Sequence, residues 1–145
     1  MKKILSLAII VCVIASCSKT AENEPENQVS GGWELRYRTI GLNPTQTFPP
    51  GNGNILKFID DNYELSENGV VKKSGKYLTL IDGSAATETC STITPGEFEK
   101  RIIFMPDTIP PKKYYHIAGN TLKLIWGCAA VDAKTIEQYE KVAGN

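Results

Sequence analysis

The sequence predicts an all-β domain, an antiparallel up-and-down barrel of about eight strands, with a two-sheet β-sandwich as the alternative. Three observations lead there. Short segments alternate apolar and polar residues with a period of two, as half-buried strands do. Glycine, proline and asparagine turn signals separate them at short intervals. No ten-residue segment carries a helical stripe, and the apolar run from Ala129 to Ala133 is too short to make one. Sequential strands joined mostly by tight turns favour a closed meander, which leaves no sheet edges to pair with neighbours.

Trp33, Leu35 and Tyr37 fall on one face of the first strand, with Glu34, Arg36 and Arg38 on the other. Gly41 to Asn54 follows, a long loop whose Pro44, Pro49 and Pro50 exclude a helix. Ile55 to Ile59 is the second strand, and Asp60-Asp61-Asn62 turns it into a third around Tyr63 and Leu65. Asn68-Gly69 between apolar runs is a strong hairpin signal, since both turn positions favour positive φ. The fourth strand runs from Val70 to Ile81, and a polar, threonine-rich loop from Asp82 to Gly96 carries Cys90. Phe98 to Met105 makes the fifth strand, with Phe98, Ile102 and Phe104 on one face. Pro106, Pro110 and Pro111 stop it. Tyr114 to Ala118, a turn at Gly119-Asn120, the Leu122-Leu124-Trp126 strand and Ile136 to Val142 complete the set.

The first thirty residues read differently. Lys2 and Lys3 precede an apolar run from Ile4 to Ala15, the pattern of a secretory signal and too short for a permanent bilayer span. The run ends Ile14-Ala15-Ser16-Cys17, which resembles the lipobox of bacterial lipoproteins. That resemblance implies cleavage before Cys17 and its modification with diacylglycerol and a fatty acyl chain such as palmitate. The alternative is an ordinary secretory signal in which Cys17 is incidental. The expected layout is a signal peptide over 1–16, a lipidated cysteine and acidic tether over 17–30, and the β-domain over 31–145. Residues 18–30 contain Glu22, Glu24, Glu26 and Pro25 and almost no apolar side chain, so they cannot offset the entropy of ordering. An acidic stretch behind the cysteine fits export to the cell surface as well as a solvated linker. The expected location is the bacterial envelope, at the outer membrane, on its periplasmic face or the cell surface.

Charge and cysteine content narrow the function. The chain has 16 basic and 16 acidic residues, and losing Lys2 and Lys3 with the signal leaves 14 against 16, a formal charge of −2. No basic stripe exists to follow a phosphate backbone, which argues against nucleic acid as a partner. Of four cysteines, Cys12 leaves with the signal and Cys17 is the lipidation candidate. Cys90 and Cys128 remain, and an even pair in an oxidising compartment reads as one disulfide. With one histidine, His116, and no C-x-x-C, no metal site is expected, and no cofactor is implied. His116 alternates with tyrosines in a strand and no serine-nucleophile motif accompanies it, so no enzymatic activity is expected.

Taken together, the motifs resemble the small lipocalin-like domains of bacterial envelope lipoproteins. Gly31-Gly32-Trp33 is similar to the opening G-x-W of lipocalins, and Phe58 to Gly69, Gly75-Lys76-Tyr77 and Tyr139-Glu140-Lys141-Val142 look like their middle and last strands. The likeness spans about residues 31–142. It implies a barrel and a small apolar ligand. In a barrel the aromatic residues Trp33, Tyr37, Phe58, Tyr63, Tyr77, Phe98, Phe104 and Trp126 either line a ligand cavity or simply fill the core. Two functions stay open: a tethered protein that binds a small apolar molecule, and a non-enzymatic interaction or inhibitor module that meets another envelope protein. A cavity of several hundred cubic ångströms would favour the first, a filled barrel the second.

Overall fold

The computed structural model describes residues 29–106, 111–128 and 134–143. The signal, Cys17, the acidic tether up to residue 28 and the Ala129–Ala133 run lie outside the described residues. The elements are β1 (Gly31–Ile40), β2 (Gln46–Thr47), β3 (Ile55–Ile59), β4 (Asn62–Glu67), β5 (Val70–Ile81), α1 (Ala85–Thr89), β6 (Lys100–Phe104), β7 (Lys113–Ala118), β8 (Thr121–Trp126) and β9 (Thr135–Lys141). All strand pairings are antiparallel; from β3 to β9 each strand pairs the next in sequence, and β1 pairs β2, β3 and β9. The sheet therefore closes into an eight-stranded barrel, with the two-residue β2 added beside β1. The sandwich alternative falls.

Turn chemistry sets the register as the sequence indicates. Asn68 and Gly69 both adopt positive φ, at 51° and 77°, in the β4–β5 hairpin. Gly75 serves a different need: a Cβ there would collide with the carbonyl oxygen of Met105, so only glycine lets β5 cross so close to the end of β6.

The core is the barrel interior, filled by Trp33, Leu35, Leu56, Phe58, Tyr63, Tyr77, Ile102, Phe104, Tyr115, Leu122, Leu124 and Tyr139, with Val29 beneath them. Val29 is fully buried and its carbonyl accepts a 2.7 Å hydrogen bond from the Trp33 indole. Val29, which the composition assigns to the tether, thus packs as part of the barrel core. Together they seal the end at which the chain arrives. β1 runs from there to the opposite end, where the long β1–β3 loop and the β4–β5 turn lie beside the last residues of β8 and the first of β9.

Two features depart from the sequence reading. The Asp82–Gly96 segment holds a helix where none was expected. The Asp82 carboxylate accepts from the Ser84 amide at 3.0 Å and hydroxyl at 2.6 Å, turning the chain into α1. Cys90 ends the helix in the left-handed region at φ 48°, with the Ser91 amide bonded to the Ala86 carbonyl at 3.1 Å. Five residues leave too little periodicity to read. Ala85 then packs with Phe98, Tyr114 and Ile125 in a second cluster on the outside of the barrel. Cys90 and Cys128 are paired there, their Cα atoms 5.3 Å apart, within the span a disulfide requires. The bridge fastens α1 to the end of β8.

The other departure is a bulge in β1. Leu35 pairs Tyr139, but Tyr37 pairs Gln138, so Arg36 is an extra residue. Beyond it the alternation inverts. Tyr37 turns outward and Arg38 turns toward Glu137, opposite to the period-two reading of the segment.

Candidate functional site

The barrel's open end collects its charged interior groups. β9 sends Thr135, Glu137 and Tyr139 inward, and the bulge in β1 brings Arg38 beside them. Arg38 Nε donates to Glu137 Oε1 at 2.7 Å, and the Tyr139 hydroxyl donates to Glu137 Oε2 at 2.6 Å. Both oxygens of the buried carboxylate are thereby engaged, as a buried charge requires. Burial, first, and the neighbouring Glu137 charge push the Tyr139 hydroxyl well above its ordinary value of 10.0, so it stays a donor. The Arg38 guanidinium also lies 5.8 Å from the ring centre of Phe48, which the β1–β3 loop lays against the core.

Next to this chain of groups is a cavity of about 60 Å³ lined by Leu56, Tyr63, Leu65, Phe104, Leu124, Glu137, Tyr139 and two lysines, Lys73 and Lys113. The Lys113 ammonium stands 5.3 Å from the Phe104 ring and 4.8 Å from the Trp126 ring, a cation held over aromatic faces. The space is enough for a few water molecules. Pockets that enclose organic ligands measure about 300–1,000 Å³. What the arrangement offers is two ammonium groups and one ordered carboxylate at the rim of an apolar floor.

The eight aromatic candidates separate under this geometry. Trp33, Phe58, Tyr63, Tyr77 and Phe104 point inward, and Trp126 is half-buried against them. They pack on one another, with Phe58–Tyr77 centroids 4.7 Å apart and Tyr63–Phe104 4.6 Å apart, and only Tyr63 and Phe104 touch the cavity. Tyr37 is 46 % exposed on the outer wall. Phe98 adopts φ 52° before β6 begins, which swings it into the cluster under α1, next to His116. Sequence reasoning missed Arg38, Lys73, Lys113, Glu137 and Tyr139. The period of two along Thr135, Glu137 and Tyr139 was the available signal.

A second charged group fixes the long loop to the outer wall. Glu34, 6 % exposed, accepts from Arg36 at 2.6 Å and from the amides of Gly51 at 3.1 Å and Gly53 at 3.3 Å. Arg36 also reaches Glu140 at 2.9 Å. Burial raises the Glu34 pKa, but the bonds from Arg36, Gly51 and Gly53 and the Arg36 charge outweigh it and leave it below the ordinary 4.5. The folded chain therefore binds this proton less tightly than the unfolded chain. The stabilisation is present above about pH 4.5 and is lost as the pH falls through the lower, folded value. Glu34→Gln is expected to flatten the acid limb of the stability profile and to speed amide exchange at Gly51 and Gly53. Equal acid sensitivity in the two proteins would remove Glu34 as the cause.

At the sealed end, an open groove of about 500 Å³ runs between Gly31, Gly32, Ile55, Lys57, Ile59 and Val142. It lies where Ser30 joins the barrel.

No family model, curated protein or solved structure matches this chain.

Proposed function

We propose that the chain is an envelope lipoprotein, held by acyl chains on Cys17, whose barrel is a non-enzymatic interaction module at the outer membrane. The observation that carries this reading is the packed interior: the inward aromatic side chains stack on one another, and the cavity beside Glu137 measures only about 60 Å³. Strand direction supports it. The chain arrives at the sealed end, so an anchor ahead of Val29 presents the loop-bearing end away from the bilayer. Leu42 on the long loop there is 79 % exposed, an apolar side chain available to a protein partner.

A second reading rests on Lys73 and Lys113 at the rim: recognition of a small ligand with an anionic group over an apolar end. Native mass spectrometry of the chain purified from its membrane separates the two. The interaction reading expects the mass of the acylated protein alone. A co-purifying small molecule that is lost in Leu65→Phe, which narrows the cavity, would establish the ligand reading instead.

Anchoring has its own test. Each buried CH₂ of an acyl chain contributes about 0.8 kcal/mol, and a single chain holds only marginally, so stable attachment needs more than one. Cys17→Ala is expected to abolish palmitate labelling and to leave either soluble protein or an uncut precursor. A cleaved variant still bound to membranes would overturn the lipoprotein assignment.

A further inference from the structure

Barrel closure satisfies both sides of most strands, but β5 outruns its neighbour. Its register with β4 ends at Asn62 opposite Lys76, and the last bond on that side runs from the Tyr77 amide to the Asp61 carbonyl at 2.9 Å. Four more residues, Leu78 to Ile81, pair with β6 alone. Bonds from the Met105 amide to the Lys76 carbonyl and from the Asp82 amide to the Glu99 carbonyl show that even-numbered residues of β5 face β6. The amides and carbonyls of Thr79 and Ile81 therefore point to the open side, where no strand among the described residues meets them. The segment carries no charge. Leu78 is 40 %, Leu80 37 % and Ile81 85 % exposed. Short length is the edge's only protection, since it has no lysine, proline or bulge of its own.

We infer that this edge pairs antiparallel with the same edge of a second copy of the chain. The edge is complementary to itself in one register. With Thr79 opposite Ile81 of the other copy, and Ile81 opposite Thr79, four backbone hydrogen bonds form and all four free groups on each edge are used. Leu80 then meets its own twin on the two-fold axis as a non-hydrogen-bonded pair, Cα atoms about 4.5 Å apart. Shifting one step toward Tyr77 fails, because its amide is already bonded to Asp61. The ends agree in charge as well. Lys76 flanks the edge on one side and Asp82 on the other, so antiparallel copies set unlike charges diagonally across.

The test uses the full chain in detergent. Sedimentation velocity is expected to show a concentration-dependent dimer that Leu80→Lys abolishes while circular dichroism and melting temperature stay unchanged. Leu80→Cys is expected to cross-link to itself under mild oxidation, well above both the unsubstituted chain and Leu78→Cys, whose opposite residue in this register is Asp82. A monomer at all concentrations with no Leu80→Cys cross-link would overturn the inference. So would a dimer that survives Leu80→Lys, equal cross-linking at positions 78 and 80, or a Leu80→Cys adduct to a different polypeptide.

Discussion

Reduction of the Cys90–Cys128 bridge is expected to lower the stability of the domain by about 4 kcal/mol. The two cysteines are 38 residues apart in sequence, and closing a loop of that length removes this much chain entropy from the unfolded state. The melting temperature should fall by about 15 °C for a domain of this size. Against a typical net stability of about 5–15 kcal/mol the effect is large. Local consequences should exceed the global one. Without the bridge, α1 keeps the outer contacts of Ala85, the Ser84–Tyr114 hydroxyl pair at 2.6 Å and the Lys112–Glu88 ion pair at 2.7 Å. A five-residue helix has little stability of its own, so amide exchange across residues 84–91 should accelerate first. The measurement is alkylation and mass spectrometry of unreduced protein, then melting with and without reductant. Two alkylated thiols in protein taken from its native compartment would show that the bridge does not form.

Trp33→Ala is expected to be at least as damaging. The indole is fully buried, closes the barrel base, and carries the bond that folds Val29 into the core. Truncating a buried tryptophan costs about 3–5 kcal/mol, in lost apolar burial and in the cavity left behind. Trp33→Phe keeps most of the ring but orphans the Val29 carbonyl, with a cost of about 1–3 kcal/mol. Chemical denaturation of the three proteins should place them in that order. Equal stability of Trp33→Phe and the unsubstituted protein would mean that the carbonyl finds another partner and that the indole contributes by packing alone.

The sequence made the path of the chain around the barrel legible because each strand reports itself through alternation and each tight turn through residues that accept positive φ. Val70–Ile81 and Ile55–Ile59 begin and end where the pattern does. The Cys90–Cys128 pairing followed from compartment and parity. What was not legible depends on contacts distant in sequence. Nothing local marks Arg36 as the bulged residue; its position is set by pairing with Gln138 and Tyr139, about a hundred residues later. One unannounced bulge put Tyr37 on the wrong face and hid Arg38 from the interior. Alternation placed Glu34 on the polar face of β1 but could not show its burial, because its partners, the amides of Gly51 and Gly53, come from a loop whose path no period describes. Phe98 kept phase with Ile102 and Phe104 on paper, and its left-handed backbone breaks that phase in three dimensions.

The position of Val29 beneath Trp33 also has a mechanical meaning. β1 is bonded along its length to β9 on one side and over its first residues to β3 on the other. Tension applied ahead of Val29 and resisted at the loops of the opposite end runs along the strand axis. The bonds flanking β1 are then loaded in shear, many sharing the pull at once, and do not open one after another like a zipper. A barrel tethered from this corner resists being drawn out by its leash far better than one tethered across its strands.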